Sequence, residues 1–143
     1  MERTFIMVKP NGVARGLTGE VVARFERRGF ALRGLKLLRI DRALAERHYA
    51  EHAGKPFFES LVSFITSGPV VAMILEADNA IARWRDLMGP TNSSEAPSGT
   101  LRGDFGTDIE KNAVHGSDAP ETAAKEMAYF FNATEVQAVV EAL

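Results

Sequence analysis

Four consecutive apolar residues, Phe5-Ile6-Met7-Val8, run into Lys9-Pro10-Asn11-Gly12, the pattern of a strand buried on both faces that ends in a turn. Lys9 then sits at a strand end. From Thr18 the period lengthens: Val21, Val22, Phe25 and Arg28 recur at helical spacing, with Gly29 as the stop. Phe30 to Ile40 returns to strand character, its leucines interleaved with Arg33, Lys36 and Arg39, which predicts one wet face. Asp41 can cap a second helix to about Ala53. Phe57, Phe58, Leu61, Val62 and Ile65 form the apolar stripe of a third, stopped by Gly68-Pro69. Pro69 to Ala77 is the strongest strand, and Asn79 to Met88 reads as helix.

No period fits Gly89 to Gly106, where three glycines and a proline follow Gly89-Pro90; a structureless stretch of that length is usually functional. Asn112 to His115 then reads as a short strand. Asp118-Ala119-Pro120-Glu121 opens a helix to about Phe131, and Thr134 to Gln137 has the spacing of a further helix start. The order β-α-β-α-α-β-α-loop-β-α-α predicts an α/β (α+β) sandwich, a ferredoxin-like four-stranded antiparallel sheet with helices packed on it. With 143 residues, the chain is expected to be one domain, 1–143.

Charge and composition narrow the chemistry. A net charge of -2 gives no global field for nucleic acid, so an anionic partner must be caught locally. The longest apolar run, Val70 to Leu75, is far short of the roughly 20 residues of a membrane helix. The N-terminus lacks the pattern of a signal peptide, so a cytoplasmic protein without membrane contact is expected. With no cysteine, thiol nucleophiles and thiolate metal sites are excluded, leaving His, Ser, Thr, Tyr and carboxylates for any chemistry, and with three histidines that search is short. Neither G-x-G-x-x-G nor a P-loop occurs, so phosphates would have to be held by discrete cations. Lys9, Arg85 and Arg102 are the candidates if they converge, and solvated surface charges if they do not.

His48 and His52 lie four apart on one helix, but without a third ligand of recognisable spacing they read as partly exposed helix histidines flanking Tyr49, and no metal site is assigned there. His115 differs, because it ends a strand and precedes Gly116-Ser117-Asp118 and a helix start. The glycine lets backbone approach a ligand, and Glu126 in the next helix could anchor the ring. An anchored neutral imidazole can act as a nucleophile; the alternative is a hydrogen-bonded structural histidine.

Four segments bear on that choice: Arg3 to Val13, Ser67 to Met73, Gly99 to Phe105, and Asn112-Ala113-Val114-His115-Gly116-Ser117-Asp118. In this order, and over nearly the whole chain, they resemble nucleoside diphosphate kinases. The resemblance implies transfer of the γ-phosphate of a nucleoside triphosphate, mainly ATP, to nucleoside diphosphates, by a ping-pong route through a phosphohistidine at His115. Mg²⁺ would be carried by the nucleotide phosphates rather than by protein ligands. Lys9, Tyr49, Arg85, Thr91, Arg102 and Asn112 match the family's nucleotide-contacting residues, with Lys9 and Asn112 placed for the sugar 3′-hydroxyl. Ser117 and Glu126 match the groups that orient the ring. Phe57 matches the aromatic that stacks on the base, with Leu61 one turn on as a second contact or as plain core.

Stacking without base-edge readout implies low base selectivity and a role in equilibrating nucleotide pools. The 89–106 loop matches the segment that closes one side of the site and joins subunit contacts, and a homo-oligomer, tetramer or hexamer, is expected. Asn11 stands where many members have Asp, and Ser93 where many have Pro. The chain ends at Leu143, so tails do not settle the assembly. The contrasting expectation is a ferredoxin-like module that binds nucleotide or nucleic acid without turnover; no obligate nucleic acid partner is expected.

Overall fold

The computed structural model describes residues 1–109 and 111–137. Strands β1 (Glu2–Val8), β2 (Ala31–Arg39), β3 (Pro69–Ala77) and β4 (Val114–Gly116) form one antiparallel sheet in the order β2-β3-β1-β4, the arrangement of a ferredoxin-like sandwich. β1 and β3 are central, and helices cover both of their faces, which is why their sequences are continuously apolar rather than alternating. Ile6, Val8, Met73 and Leu75 point to a cluster closed by α2 (Thr18–Arg27) and α5 (Ala80–Met88), with Phe25 and Trp84 at its centre. Phe5, Met7, Ala72 and Ile74 point the other way, to α3 (Arg42–His48), α4 (Phe58–Ile65) and α7 (Pro120–Phe130). Each such fully buried side chain contributes about 1.5–3 kcal/mol relative to exposure.

Asp41 caps α3 as expected, its carboxylate accepting from the Leu44 amide at 2.8 Å. Several boundaries differ from the sequence expectation. The Lys9-Pro10-Asn11-Gly12 turn is the start of a short helix, α1 (Pro10–Ala14), because proline at the first helical position costs no hydrogen bond. The 89–106 segment is not structureless: it contains a single turn at Ser93–Glu95 and helix α6 (Leu101–Phe105), nucleated by Thr100, whose hydroxyl accepts from the Gly103 amide at 3.1 Å. α3 ends at His48, and a separate turn spans Ala50–His52. Asp118 does not cap α7; Ala119 holds that position ahead of Pro120. The last turn, Ala133–Glu135, uses the reciprocal Asn132 and Glu135 capping box, two residues before the expected Thr134 start, and any helix beyond Gln137 lies outside the described residues.

β2 inverts the expected wet face. A bulge between Leu32 and Gly34 shifts the alternation, so Leu35 and Leu37 are exposed by 54% and 68% while Lys36 turns inward. Its ammonium donates to the Phe130 carbonyl at 3.0 Å and to the Glu135 carboxylate at 2.9 Å. Among the described residues no helix is long and apolar enough to cross a membrane.

Candidate active site

A cavity of about 660 Å³ opens between the C-terminal end of α3, α5, α7 and the 89–112 segment. Its walls include Lys9, Tyr49, Arg85, Thr91, Arg102 and Asn112. His115 and Glu126 line it too, and Phe57 and Leu61 stand on the α4 side. Ser117 does not line it; it is fully buried, its amide donating to the Phe5 carbonyl at 3.0 Å.

Each group is placed by an identifiable local device. Lys9 leaves β1 at the start of α1, and its amide donates to the Ala113 carbonyl at 2.8 Å. Its ammonium donates to Asn112 Oδ1 at 2.8 Å. Asn112 Nδ2 in turn donates to the carbonyls of Thr91, at 2.9 Å, and Ile109, at 3.0 Å. One amide therefore ties the strand end to two loop segments. Ala113 takes a φ of 73°, a left-handed backbone unusual for a residue with a side chain, to turn the chain from this node into β4.

Arg102 projects from α6 and is 5% exposed. Nη1 donates to the Gly89 carbonyl at 3.1 Å and Nη2 to the Val114 carbonyl at 2.9 Å, while the buried Nε has no partner among the described residues. Burial, with the Arg85 charge beside it, pulls the guanidinium down to about 10, so it stays cationic at neutral pH.

His115 pairs with Met7 in the β1–β4 ladder, which sends its ring to the helix-α7 side of the sheet beside Phe5. Nε2 lies 2.6 Å from Glu126 Oε2. With Nε2 committed to the carboxyl, Nδ1 is the nitrogen left for a ligand. Burial holds the imidazole well below its usual range, and the Lys9, Arg102 and Arg85 charges push in the same direction. The cations converge on one ring, where the sequence left them as either surface charges or a cluster. Burial also pushes the Glu126 carboxyl up, to about 7.

Gly116 lines the cavity, and it serves a second purpose as well. A Cβ there would lie 2.2–2.3 Å from the Trp84 indole, so the glycine admits the core tryptophan directly beneath the site.

Sequence reasoning missed His48. Its side chain is 2% exposed rather than partly exposed, and its ring meets that of His115 edge-on at 4.7 Å between centroids. Burial lowers it to about 3, so it is neutral. The available signal was its position three residues after the buried Ala45 on the inner face of α3. Phe57, by contrast, lies at the rim, 43% exposed, with the Lys55 ammonium 5.9 Å from its centroid.

The fold and this constellation define a phosphotransferase: a neutral, anchored imidazole facing a cavity walled by the buried Lys9 and Arg102 and the exposed Arg85, without a glycine-rich phosphate loop. The family model for nucleoside diphosphate kinase matches residues 2–136. The chain is 61% identical over 136 residues to a nucleoside diphosphate kinase of Carboxydothermus hydrogenoformans, covering 95% of this chain and 91% of the relative. It is 58% identical to one of Thermus thermophilus, covering 95% and 99%. Among solved structures, a nucleoside diphosphate kinase of Halobacterium salinarum in complex with CDP superimposes with a TM-score of 0.95 at 50% identity, over 98% of this chain and 93% of that one.

The chain belongs to the nucleoside diphosphate kinase family, and its activity is transfer of the γ-phosphate of a nucleoside triphosphate to a nucleoside diphosphate. The non-catalytic binding module is not favoured: β1 and β3 are buried on both faces, leaving those central strands without the open face that a sheet-based nucleic-acid reader uses.

Proposed function

We propose that His115 carries the phosphoryl group between the two half-reactions. In the first, the Nδ1 lone pair attacks the γ-phosphorus of a bound nucleoside triphosphate. An N–P bond forms, the bond to the bridging oxygen breaks, and the electron pair leaves with the diphosphate. The second half-reaction reverses these steps onto another nucleoside diphosphate, so the kinetics are ping-pong. The ionised Glu126 accepts the Nε2 proton in a hydrogen bond, which keeps the lone pair on Nδ1 and offsets charge developing on the ring; the Ser117 side chain hydrogen-bonds the same carboxylate.

Lys9, Arg85 and Arg102 neutralise the oxygens of the migrating group, where positioning and charge supply most of the rate. Asn112 holds Lys9 and, with it, reaches the sugar hydroxyl. Thr91 and Tyr49 contact the phosphates and sugar. Phe57 stacks on the base with Leu61 behind it, a contact tolerant of base identity. Mg²⁺ enters as part of the substrate, on the nucleotide phosphates. Mg²⁺ keeps most of its waters and binds substrate phosphates in preference to an all-protein cage, which supports a metal carried by the nucleotide.

The observation that carries this reading is the 2.6 Å His115–Glu126 pair, set where three cations act on the ring. Brief incubation with γ-labelled ATP yields an acid-labile, base-stable phosphoprotein, and His115→Gln abolishes it. Label retained in His115→Gln would assign the nucleophile elsewhere. We also read residues 1–143 as one domain, since both hydrophobic clusters share β1 and β3. The cytoplasm is the compartment that a pool-equilibrating enzyme serves. The exposed Leu35 and Leu37 on edge strand β2 support a homo-oligomer, tetramer or hexamer, which light scattering after gel filtration measures.

A further inference from the structure

From His48, His115 and Glu126 the geometry points to a second, inhibitory ligand site on the nucleotide-free enzyme: a divalent cation of the zinc class held between two imidazoles and one carboxylate. One ligand atom from each residue falls within 4.8 Å of the other two. Glu126 Oε2 is central, 2.6 Å from His115 Nε2 and 3.8 Å from His48 Nδ1. An independent observation points to a ligand there: the buried His48 Nδ1, within ion-pair range of the Glu126 oxygen but beyond a hydrogen bond, has no hydrogen-bond partner among the described residues. A buried ring nitrogen without a partner is a standing cost that a bound cation removes.

The donor set, two histidines and one glutamate, is one that zinc uses in open sites, with the cavity supplying the fourth position. Metal–ligand bonds of about 2.0–2.1 Å at tetrahedral angles separate ligand atoms by roughly 3.3 Å, so the His115–Glu126 pair must open by roughly 0.7 Å, and His48 must close by roughly 0.5 Å toward Glu126 and by up to roughly 1.5 Å toward His115, a shift of side-chain rotamer scale. All three residues line the cavity, which provides the entry path. Nitrogen donors select a borderline-soft ion over Mg²⁺, whose preference is for oxygen. The Lys9, Arg85 and Arg102 charges oppose a dication, so the affinity lies below that of a closed structural zinc site.

The consequence concerns the ring's tautomer. Zinc takes the lone pair of His115 Nε2, the proton that nitrogen carried moves to Nδ1, and Nδ1 then has no pair with which to attack. This inhibitory effect rests on the nucleophile proposed above; the binding site does not.

Two measurements separate the points. Zinc affinity is read by competition with a chromophoric chelator in nucleotide-free buffer. His48→Gln and His115→Gln each lower it by more than about tenfold, the scale on which even outer partners of a metal ligand act. His52→Gln, at the cavity rim beside Glu51, leaves it unchanged. Zinc-edge X-ray absorption on the wild-type enzyme shows two imidazoles, and this reading stands alone should a variant fail to fold by circular dichroism. Unchanged affinity in folded His48→Gln, or a single imidazole at the metal, overturns the site. In the functional arm, zinc-loaded enzyme loses phosphoenzyme labelling and a zinc-selective chelator restores it. Full labelling of zinc-loaded enzyme overturns the inhibition alone, and a zinc-free enzyme that never labels overturns the nucleophile instead.

Discussion

The cation wall and the imidazole floor of the cavity are built on opposite plans. Arg102 and Asn112 are held by main-chain carbonyls from Gly89, Thr91, Ile109 and Val114, contacts that set position and leave the charge intact. His115, Glu126 and His48 instead rest on one another, with a single short hydrogen bond among them, and burial decides their protonation. Arg102 and Asn112 are therefore tied to the main chain, and Arg102 stays cationic through the neutral range. The floor is adjustable, and what adjusts it is a proton or a cation.

The harshest way to break this contrast is to remove a fixed charge. Arg102→Ala is expected to lower kcat by about 10²–10³-fold, with a much smaller change in KM, if the guanidinium acts on charge that develops during transfer. Steady-state kinetics read the split; a loss confined to KM would assign Arg102 to ground-state holding.

A pH titration sharpens the other side. Below about 7 the Glu126 carboxyl takes up a proton and becomes a donor to His115 Nε2, which forces the ring proton onto Nδ1 and removes the attacking pair. Above it, the carboxylate accepts from Nε2 and Nδ1 is free to attack. Because burial and the cations hold His115 itself well below its usual range, imidazolium formation does not set this limb. Single-turnover phosphorylation is thus expected to rise with pH through about 7 and then level, falling about tenfold per unit on the acid side. Glu126→Gln should flatten the profile, and a wild-type rate flat from neutral into acid would break the assignment.

The rim gives the smallest effect. Phe57 is partly in water already, so Phe57→Leu keeps bulk, loses the stacking face, and should raise KM by less than about tenfold for purine and pyrimidine substrates alike, with kcat unchanged. A change selective for one base would contradict tolerant stacking.

Most of the fold was legible because β1 and β3 announce double burial through unbroken apolar runs, and because Asp41 marks a helix start with side-chain chemistry, whereas the Asn132–Glu135 box was passed over for Thr134. Helix α6 was hidden, since five residues are too few to show a period and Thr100 caps it from within a glycine-rich stretch. β2 misled because one bulged residue reverses the facing of every residue after it. The candidate site was legible as a motif around His115; His48 was not, because its place on the inner face of α3 shows that it is buried but not which side chain packs against it.

Residue order alone settled which groups are available: three imidazoles, no thiol, Lys9, Arg85 and Arg102 as the candidate phosphate-binding cations, and the family to which the segments belong. Only the folded sheet decided which of them meet. The β1–β4 register brings His115 opposite Met7 and beneath α7, and the packing of α3 then slides His48 against it. Those contacts join residues far apart in the chain, and proximity of that kind depends on strand pairing and burial rather than on anything local to either residue.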